Sequence, residues 1–137
     1  MPWQWVDHTA DVGLRVEAPT QAALFEDAGR ALVALIVEDP GTVEARETLR
    51  FDLHADDPAD LLFDWLQALL VAFELRHLLL TRFRVTLEGP GLHAIATGEF
   101  VDPARHRLAH EVKAITYHGL SLRPTDEGWL AEVVVDI

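Results

Sequence analysis

A run of mainly apolar side chains, PADLLFDWLQALLVAFELRH, occupies positions 58–77. Asp57 and Pro58 are favoured at the N-cap and at the first position of a helix, so we expect a helix over 58–77. Its apolar arc is wider than the single stripe of a surface helix, which predicts a central position in the core. The run is interrupted along one narrow face by Asp60, Asp64, Gln67 and Glu74. These polar residues exclude a transmembrane span.

Two segments before this helix predict the first strands of a sheet. Val12–Glu17 and Thr48–His54 alternate between apolar and polar residues, which is typical of half-buried strands. Between them, Thr20 is a favourable N-cap, apolar residues recur at helical spacing from Leu24 to Ile36, and Pro40-Gly41 closes the element. The first half of the chain therefore predicts a strand, a helix, a second strand and then the central helix.

The segments after the central helix predict short strands joined by turns. Phe83–Leu87 and Leu92–Phe100 flank Gly89-Pro90-Gly91, which predicts a β-hairpin. Three more strands are expected over 110–117, 120–123 and 129–137. We therefore predict one α+β domain, 1–137, with a mostly antiparallel sheet of about six or seven strands and two main helices packed on one face.

Composition narrows the possible functions. The chain has 137 residues, no cysteine and a formal net charge of −12. The missing cysteines exclude disulfides, thiolate zinc sites and a catalytic cysteine. The negative charge argues against direct nucleic-acid binding and favours a basic partner or a metal ion, although an acidic surface can also serve solubility alone. No signal peptide or membrane span is visible, so we expect a cytoplasmic protein with no membrane partner.

Acidic residues near the N-terminus are candidate metal ligands. Asp7, His8 and Asp11 lie close together just before the first predicted strand. Carboxylates suit calcium, magnesium or manganese, and an imidazole extends the range to zinc. The same side chains could instead cap the turns of a loop by hydrogen bonds to its backbone.

The last predicted strand ends on two more candidate ligands. Val133, Val135 and Ile137 alternate on one face, so Asp136 falls on the other face of an otherwise apolar strand. An acid there is costly to bury unless it is paired or bound to a metal, whereas a strand end that reaches solvent would make it ordinary. The α-carboxylate of Ile137 adds further oxygens. A shared site requires the segments around Asp11 and Asp136 to end side by side.

The only lysine of the chain lies in the segment 110–119. Alternation predicts Glu111 and Lys113 on one side of a strand, with Val112 and Ala114 on the other. Lys113 could form a cross-strand ion pair or could contact a partner protein.

Common enzyme motifs are absent from the sequence. It contains no GxxxxGK[ST], no GxGxxG after a strand, no GxSxG and no HExxH. Phosphate-loop, dinucleotide-binding, hydrolase-elbow and zincin mechanisms therefore lack their minimal parts. A small metal-dependent hydrolase that uses the same carboxylates, with His8 as general base, remains an alternative.

Five motifs together resemble the archease family. They run in order along the chain: DHTADVG at 7–13, DWL at 64–66, EVKAITYHGL at 111–120, GW at 128–129 and VDI at 135–137. The resemblance implies an α+β protein that is not an enzyme but a cofactor of the RtcB-type RNA ligase, which joins tRNA halves in tRNA splicing. Archeases are held to promote guanylylation of the active-site histidine of that ligase and to let it turn over repeatedly.

The resemblance also implies roles for particular residues. The metal-binding acids of the family correspond to Asp11 and Asp136, and their expected neighbours are Asp7, His8 and the carboxylate of Ile137. The expected ion is calcium, or manganese or magnesium.

The same resemblance places a partner-binding surface in the motif at 111–120. The motif lysine is Lys113, and Glu111 and His118 belong to the same surface, which would contact the ligase. His118 before Gly119 is equally typical of a turn. A subunit whose acidic face docks without any metal is a third possibility.

Overall fold

The computed structural model describes residues 2–7 and 11–137, and of residues 6 and 7 only the backbone. The elements in chain order are β1 (Trp3–Asp7), β2 (Asp11–Ala18), α1 (Gln21–Ile36), a 3-10 helix (Pro40–Thr42), β3 (Glu47–His54), α2 (Pro58–Arg76), β4 (Leu78–Glu88), β5 (Gly91–Phe100), β6 (Ala114–Ile115), β7 (Ser121–Thr125) and β8 (Gly128–Asp136).

The strands form two antiparallel sheets. In the larger sheet the order is β1-β2-β8-β6, and β7 also pairs with β8; in the smaller sheet the order is β3-β5-β4. Both helices contact strands of both sheets, so the helices and the two sheets share one core. The α+β class and the antiparallel pairing are confirmed. The described residues form eight strands in two sheets, whereas the sequence predicted one sheet of about six or seven strands. Alternation identifies a half-buried strand but does not identify the strand with which it pairs.

The central position of α2 is confirmed by its tryptophan. Trp65 is fully buried, and its indole Nε1 donates a hydrogen bond to the carbonyl oxygen of Phe25 in α1 at 2.9 Å. Its ring contacts Phe51 and Phe83 edge-on, with centroids 5.3 and 5.7 Å apart. Such edge-to-face contacts stabilise aromatic clusters. Trp65 therefore joins both helices to the smaller sheet.

The predicted helix starts are confirmed. The side chain of Thr20 accepts a hydrogen bond from the backbone N–H of Ala23 at 3.1 Å, and the side chain of Asp57 accepts one from Ala59 in α2. Helix α2 ends at Arg76, and its C-cap His77 has a left-handed φ of 57°. Helix α1 ends at Ile36, the last apolar residue at helical spacing, and Pro40-Gly41 begins a separate 3-10 helix.

Three strands differ from the sequence prediction. Strand β1 was not predicted, although Trp3 and Trp5 alternate with Gln4. Strand β4 begins at Leu78 rather than Phe83, because a bulge after Leu80 breaks its alternation. The strand expected over 110–117 is reduced to the two residues of β6. The differences at β4 and β6 occur where the backbone pairing is irregular or short.

Candidate metal centre and partner surface

Strand pairing places Asp11 and Asp136 side by side. Strands β2 and β8 are antiparallel, and their register aligns Asp11 with Asp136, which lies 125 positions later. Both residues are half-buried. The prediction that the N-terminal motif and the last strand end together is therefore confirmed, and we call these two residues the carboxylate pair.

The direction of the Asp136 carbonyl group shows how close the side chains of Asp11 and Asp136 are. Its carbonyl oxygen accepts a hydrogen bond from the backbone N–H of Lys113 at 2.8 Å, so it points away from β2. A residue with this orientation faces the opposite strand at a non-hydrogen-bonded position, where cross-strand Cβ atoms are about 4.5–5.5 Å apart. Asp11 and Asp136 therefore present their carboxylates at one place on the same face.

The alternation of side chains along β8 shows on which face of the larger sheet Asp136 lies. Val133 and Val135 are buried, and the side chain of Ile137 packs against the core, as predicted. Asp136 consequently lies on the outer face of the larger sheet.

Two predicted ligands cannot be placed fully. The backbone of Asp7 pairs with Val12, one position from Asp11, but its side chain lies outside the described residues. His8 lies outside them altogether. Within residues 2–7 and 11–137, no three His, Asp or Glu side chains form a group that could hold a metal ion. The roles of Asp7 and His8 therefore stay predictions.

The nearest arginine on the outer face is engaged elsewhere. Arg15 pairs with Glu132 at 3.0 Å and with Glu17 at 3.6 Å. Among the described residues, Asp136 forms no ion pair within 4.0 Å. Asp11 and Asp136 are both acids, and carboxylates directly opposite each other on neighbouring strands repel. The donor set, all oxygen, fits calcium, magnesium or manganese.

The backbone carrying Lys113 lies against this site. Ala114 aligns with Asp136, and Lys113 precedes the short strand. Glu111 and Lys113 are exposed, whereas Val112 is buried and Ala114 is half-buried, so the predicted division of these side chains holds although the strand itself is shorter than predicted.

The predicted partner-binding residues are all accessible. Glu111, Lys113 and His118 are exposed. Within the described part of the chain, Lys113 forms no ion pair, so the cross-strand ion pair considered for it is not formed. His118 lies in a tight turn in which Gly119 has a φ of 63° and Leu120 N–H bonds the carbonyl of Tyr117 at 3.2 Å. This position agrees with the prediction that His118 is a turn residue, and its exposure leaves it available to a partner protein.

Sequence reasoning missed an exposed aromatic pair beside this turn. Tyr117 is 62% exposed, yet its ring stacks on Phe63 of α2, with centroids 3.9 Å apart and planes at 13°. The stacking holds an exposed aromatic in one orientation next to the Lys113 segment. No local pattern predicts this contact, because it joins a helix to a turn far along the chain.

Sequence reasoning also missed a buried acid at the end of β5. Glu99 is only 4% exposed and accepts hydrogen bonds from the backbone N–H of Glu44 at 2.7 Å and from Arg105 at 3.1 Å. His106 Nδ1 accepts from the backbone N–H of Asp102 at 2.8 Å, so its Nε2 carries the proton and donates to Glu99 at 3.1 Å. The sequence signal that could have identified this site is an acid, Glu99, in a mainly apolar strand, followed within seven residues by Arg105 and His106.

The hydrogen-bond donors around Glu99 favour its ionised form. The hydrogen bonds from Arg105 and from the backbone of Glu44 lower the pKa of Glu99 to about 2. Glu99 in turn raises the pKa of Arg105. The site is a neutralised ion pair that ties the loops around residues 44 and 105 to β5 and offers no open position for an external cation.

Comparisons with known proteins agree with this architecture. The model of the archease protein family matches residues 3–137. Protein archease of Methanopyrus kandleri is 38% identical, with full coverage of both chains, and that of Pyrococcus abyssi is 36% identical over 98% of each. Among the described residues, no helix is long and apolar enough to cross a membrane.

Solved structures show the same fold. The solution structure of Methanobacterium thermoautotrophicum protein 1598 is 30% identical, covers 99% of each chain and superposes with a TM-score of 0.85. The crystal structure of a Thermotoga maritima archease, described as a possible chaperone, covers 96% of this chain and 94% of its own at 19% identity, with a TM-score of 0.68. On these matches, the chain belongs to the archease family.

Proposed function

We propose that this protein activates an RtcB-type RNA ligase in the cytoplasm during tRNA splicing, by promoting guanylylation of the active-site histidine of the ligase and allowing multiple turnover. Archeases are known as protein cofactors rather than catalysts, and this chain lacks common enzyme motifs. The observation that carries the proposal is the alignment of Asp11 with Asp136, beside the backbone of Lys113.

The carboxylate pair is the proposed metal centre. Asp11 and Asp136 would hold calcium, manganese or magnesium, assisted by the carboxylate of Ile137 and by Asp7 and His8. When bound, the ion would supply positive charge that offsets the charge of nucleotide phosphates in the ligase site. The protein's own part is to hold the two carboxylates side by side at a strand tip.

The partner surface lies beside this tip. Lys113, Glu111 and His118 are exposed, and the stacked Tyr117 adds aromatic area. Aromatic residues held in one orientation contribute strongly to protein interfaces. A lysine without an internal ion pair can contact an acidic group of the ligase or a nucleotide phosphate. We therefore propose that ligase binding brings the carboxylate pair to the nucleotide site.

A guanylylation time course tests this function. The cognate ligase is incubated with GTP and a divalent ion, with and without substoichiometric amounts of the protein, and ligation is followed with RNA in excess. We expect faster guanylylation and repeated turnover, because an activator can leave after each cycle. Unchanged guanylylation and ligation would refute the proposal.

The same samples distinguish a hydrolase from an activator. Phosphatase, esterase and nuclease turnover by the protein alone, with and without divalent ions, should stay at background. Metal-dependent hydrolysis that disappears in Asp136→Asn, without any effect on the ligase, would favour the hydrolase instead. Asp126→Asn is the matched control, because Asp126 is an exposed acid in the turn between β7 and β8.

A further inference from the structure

The outer face of the smaller sheet carries clustered arginines. The register aligns Arg50, Ile95 and Arg84 in one row across β3, β5 and β4. The adjacent row contains Thr48, Thr97 and Arg82. We call these six residues the arginine patch. Their neighbours along each strand face the core: Leu49, Phe51, Phe83, Val85, Ala94 and Ala96.

Strand geometry sets the spacing of these arginines. Strands β3 and β4 flank β5, so the backbones carrying Arg50 and Arg84 lie about 9–10 Å apart. Arg82 and Arg84 are two positions apart on β4, which separates them by about 7 Å. All three arginines are exposed, and the residues between them are two threonines and one isoleucine. The patch is a flat polar surface with three cationic groups.

These arginines are not neutralised within the protein. Six other arginines in the described residues lie within 4.0 Å of a carboxylate: Arg15, Arg30, Arg46, Arg105, Arg107 and Arg123. Within the same part of the chain, Arg50, Arg82 and Arg84 form no ion pair or hydrogen bond through their side chains. The next outward acid on β3, Asp52, is hydrogen-bonded to His93. A chain with 23 acids thus leaves three clustered arginines available to an external anion.

We propose that the arginine patch binds the phosphate backbone of RNA. The planar guanidinium group matches phosphate with two parallel hydrogen bonds, and threonine hydroxyls also donate to phosphate oxygens. The patch contains no aromatic residue on which a base could stack, so binding is to the backbone and independent of sequence. The choice of RNA over an acidic protein segment rests on the proposed function, whose ligase acts on RNA.

The net charge of −12 is compatible with this local site. At physiological salt, charges separated by more than about 8 Å are largely screened. Acidic residues farther than this from the patch therefore have little effect on a phosphate that contacts its arginines. The whole-chain charge limits affinity rather than abolishing binding. The patch and the carboxylate pair belong to different sheets, and both helices contact both sheets. The patch and the carboxylate pair therefore share no residue and no strand.

Fluorescence anisotropy with a fluorescein-labelled RNA hairpin tests the patch. The full chain is compared with the triple variant Arg50→Gln/Arg82→Gln/Arg84→Gln and with the control triple Arg76→Gln/Arg107→Gln/Arg123→Gln. Both triples change the net charge equally, and all six arginines are exposed. Three phosphate contacts predict that the affinity of the wild type and the control falls about 40-fold between 50 and 200 mM salt. The patch variant should lose most of this salt dependence and bind more weakly at 50 mM.

Two results would overturn the inference. One is equal binding by the two triple variants, and the other is equally tight binding of a labelled polyglutamate peptide by the wild type. If the triple variant fails to fold by circular dichroism, Arg50→Gln and Arg84→Gln singly should each lower the salt slope by about 0.9. Asp136→Asn should bind the hairpin like the wild type, so failure of the ligase proposal is distinguishable from failure of this one.

Discussion

Acidic residues lie at strand ends in both sheets, and their surroundings differ. At the end of β5, Glu99 receives hydrogen bonds from Arg105, His106 and the backbone of Glu44. At the end of β8, Asp136 stands opposite Asp11, another acid, and forms no ion pair with a described residue. One carboxylate is neutralised within the chain, whereas two carboxylates at the other site face each other.

This difference separates a structural acid from a candidate functional one. A buried carboxylate surrounded by donors holds loops in place, and nothing further needs to bind. Two opposed carboxylates at a strand tip are instead candidate ligands for an external cation. Substitutions at the two sites should therefore have opposite consequences for folding and for ligase activation.

The largest expected effect is on ligase activation. Asp11→Asn or Asp136→Asn should reduce ligation to the level of the ligase alone, because each removes a carboxylate from the proposed metal centre. Glu99→Gln should still activate at a temperature where it is folded. Thermal melts should show no loss of stability in Asp136→Asn without metal, because neutralising this acid removes its repulsion with Asp11. Full activation by Asp136→Asn would remove that residue from the site.

The second effect is on stability at the buried site. His106→Leu should lower the free energy of unfolding by about 1–3 kcal/mol, because it leaves the backbone N–H of Asp102 without its acceptor. It also removes one donor from Glu99. Urea unfolding measures the change, with Asp126→Asn as an exposed control. An unfolding midpoint equal to that of the wild type would show that the network does not stabilise the loops.

A third effect is the pH dependence of stability. The pKa of Glu99 is lowered from 4.5 to about 2 in the folded protein, so its ionised form favours folding above pH 4.5. That contribution should be lost as the pH falls from about 4.5 to about 2. The stability difference between wild type and Glu99→Gln should accordingly shrink over this window. A difference that stays constant from pH 6 to pH 2.5 would contradict the assignment.

The smallest effect on folding is expected at Lys113. Lys113→Ala should change the free energy of unfolding by less than about 0.5 kcal/mol, because the side chain is exposed and has no ion pair in the described structure. Ligase activation should fall more than stability does. Lys113→Arg keeps the charge and changes the geometry of the donor. Equal activation by all three proteins would leave Lys113 with no role at the partner surface.

The sequence predicted those features that depend on local pattern. Caps at Thr20 and Asp57 and the apolar run of α2 identified both helices. Alternation in β8, together with the motifs at both chain ends, predicted that Asp11 and Asp136 meet. Each of these depends on residues that lie close together in the chain, or on a motif.

Features that depend on distant backbone contacts could not be predicted in this way. The separation into two sheets depends on which strands pair. The strand expected over 110–117 is reduced to Ala114 and Ile115, the two residues that pair with β8. The Glu99 site needs a backbone donor 55 positions away, and the arginine patch appears only when the register of β3, β5 and β4 is known.

Calorimetric titration with calcium or manganese tests the carboxylate pair most directly. The wild type and Glu99→Gln should bind one ion, while Asp11→Asn and Asp136→Asn should lose most of that affinity. A C-terminal extension, which converts the Ile137 carboxylate to an amide, should weaken binding more than an N-terminal tag does. Equal affinity in the wild type and in both Asn variants would contradict the account, because the opposed carboxylates would then not be the metal centre.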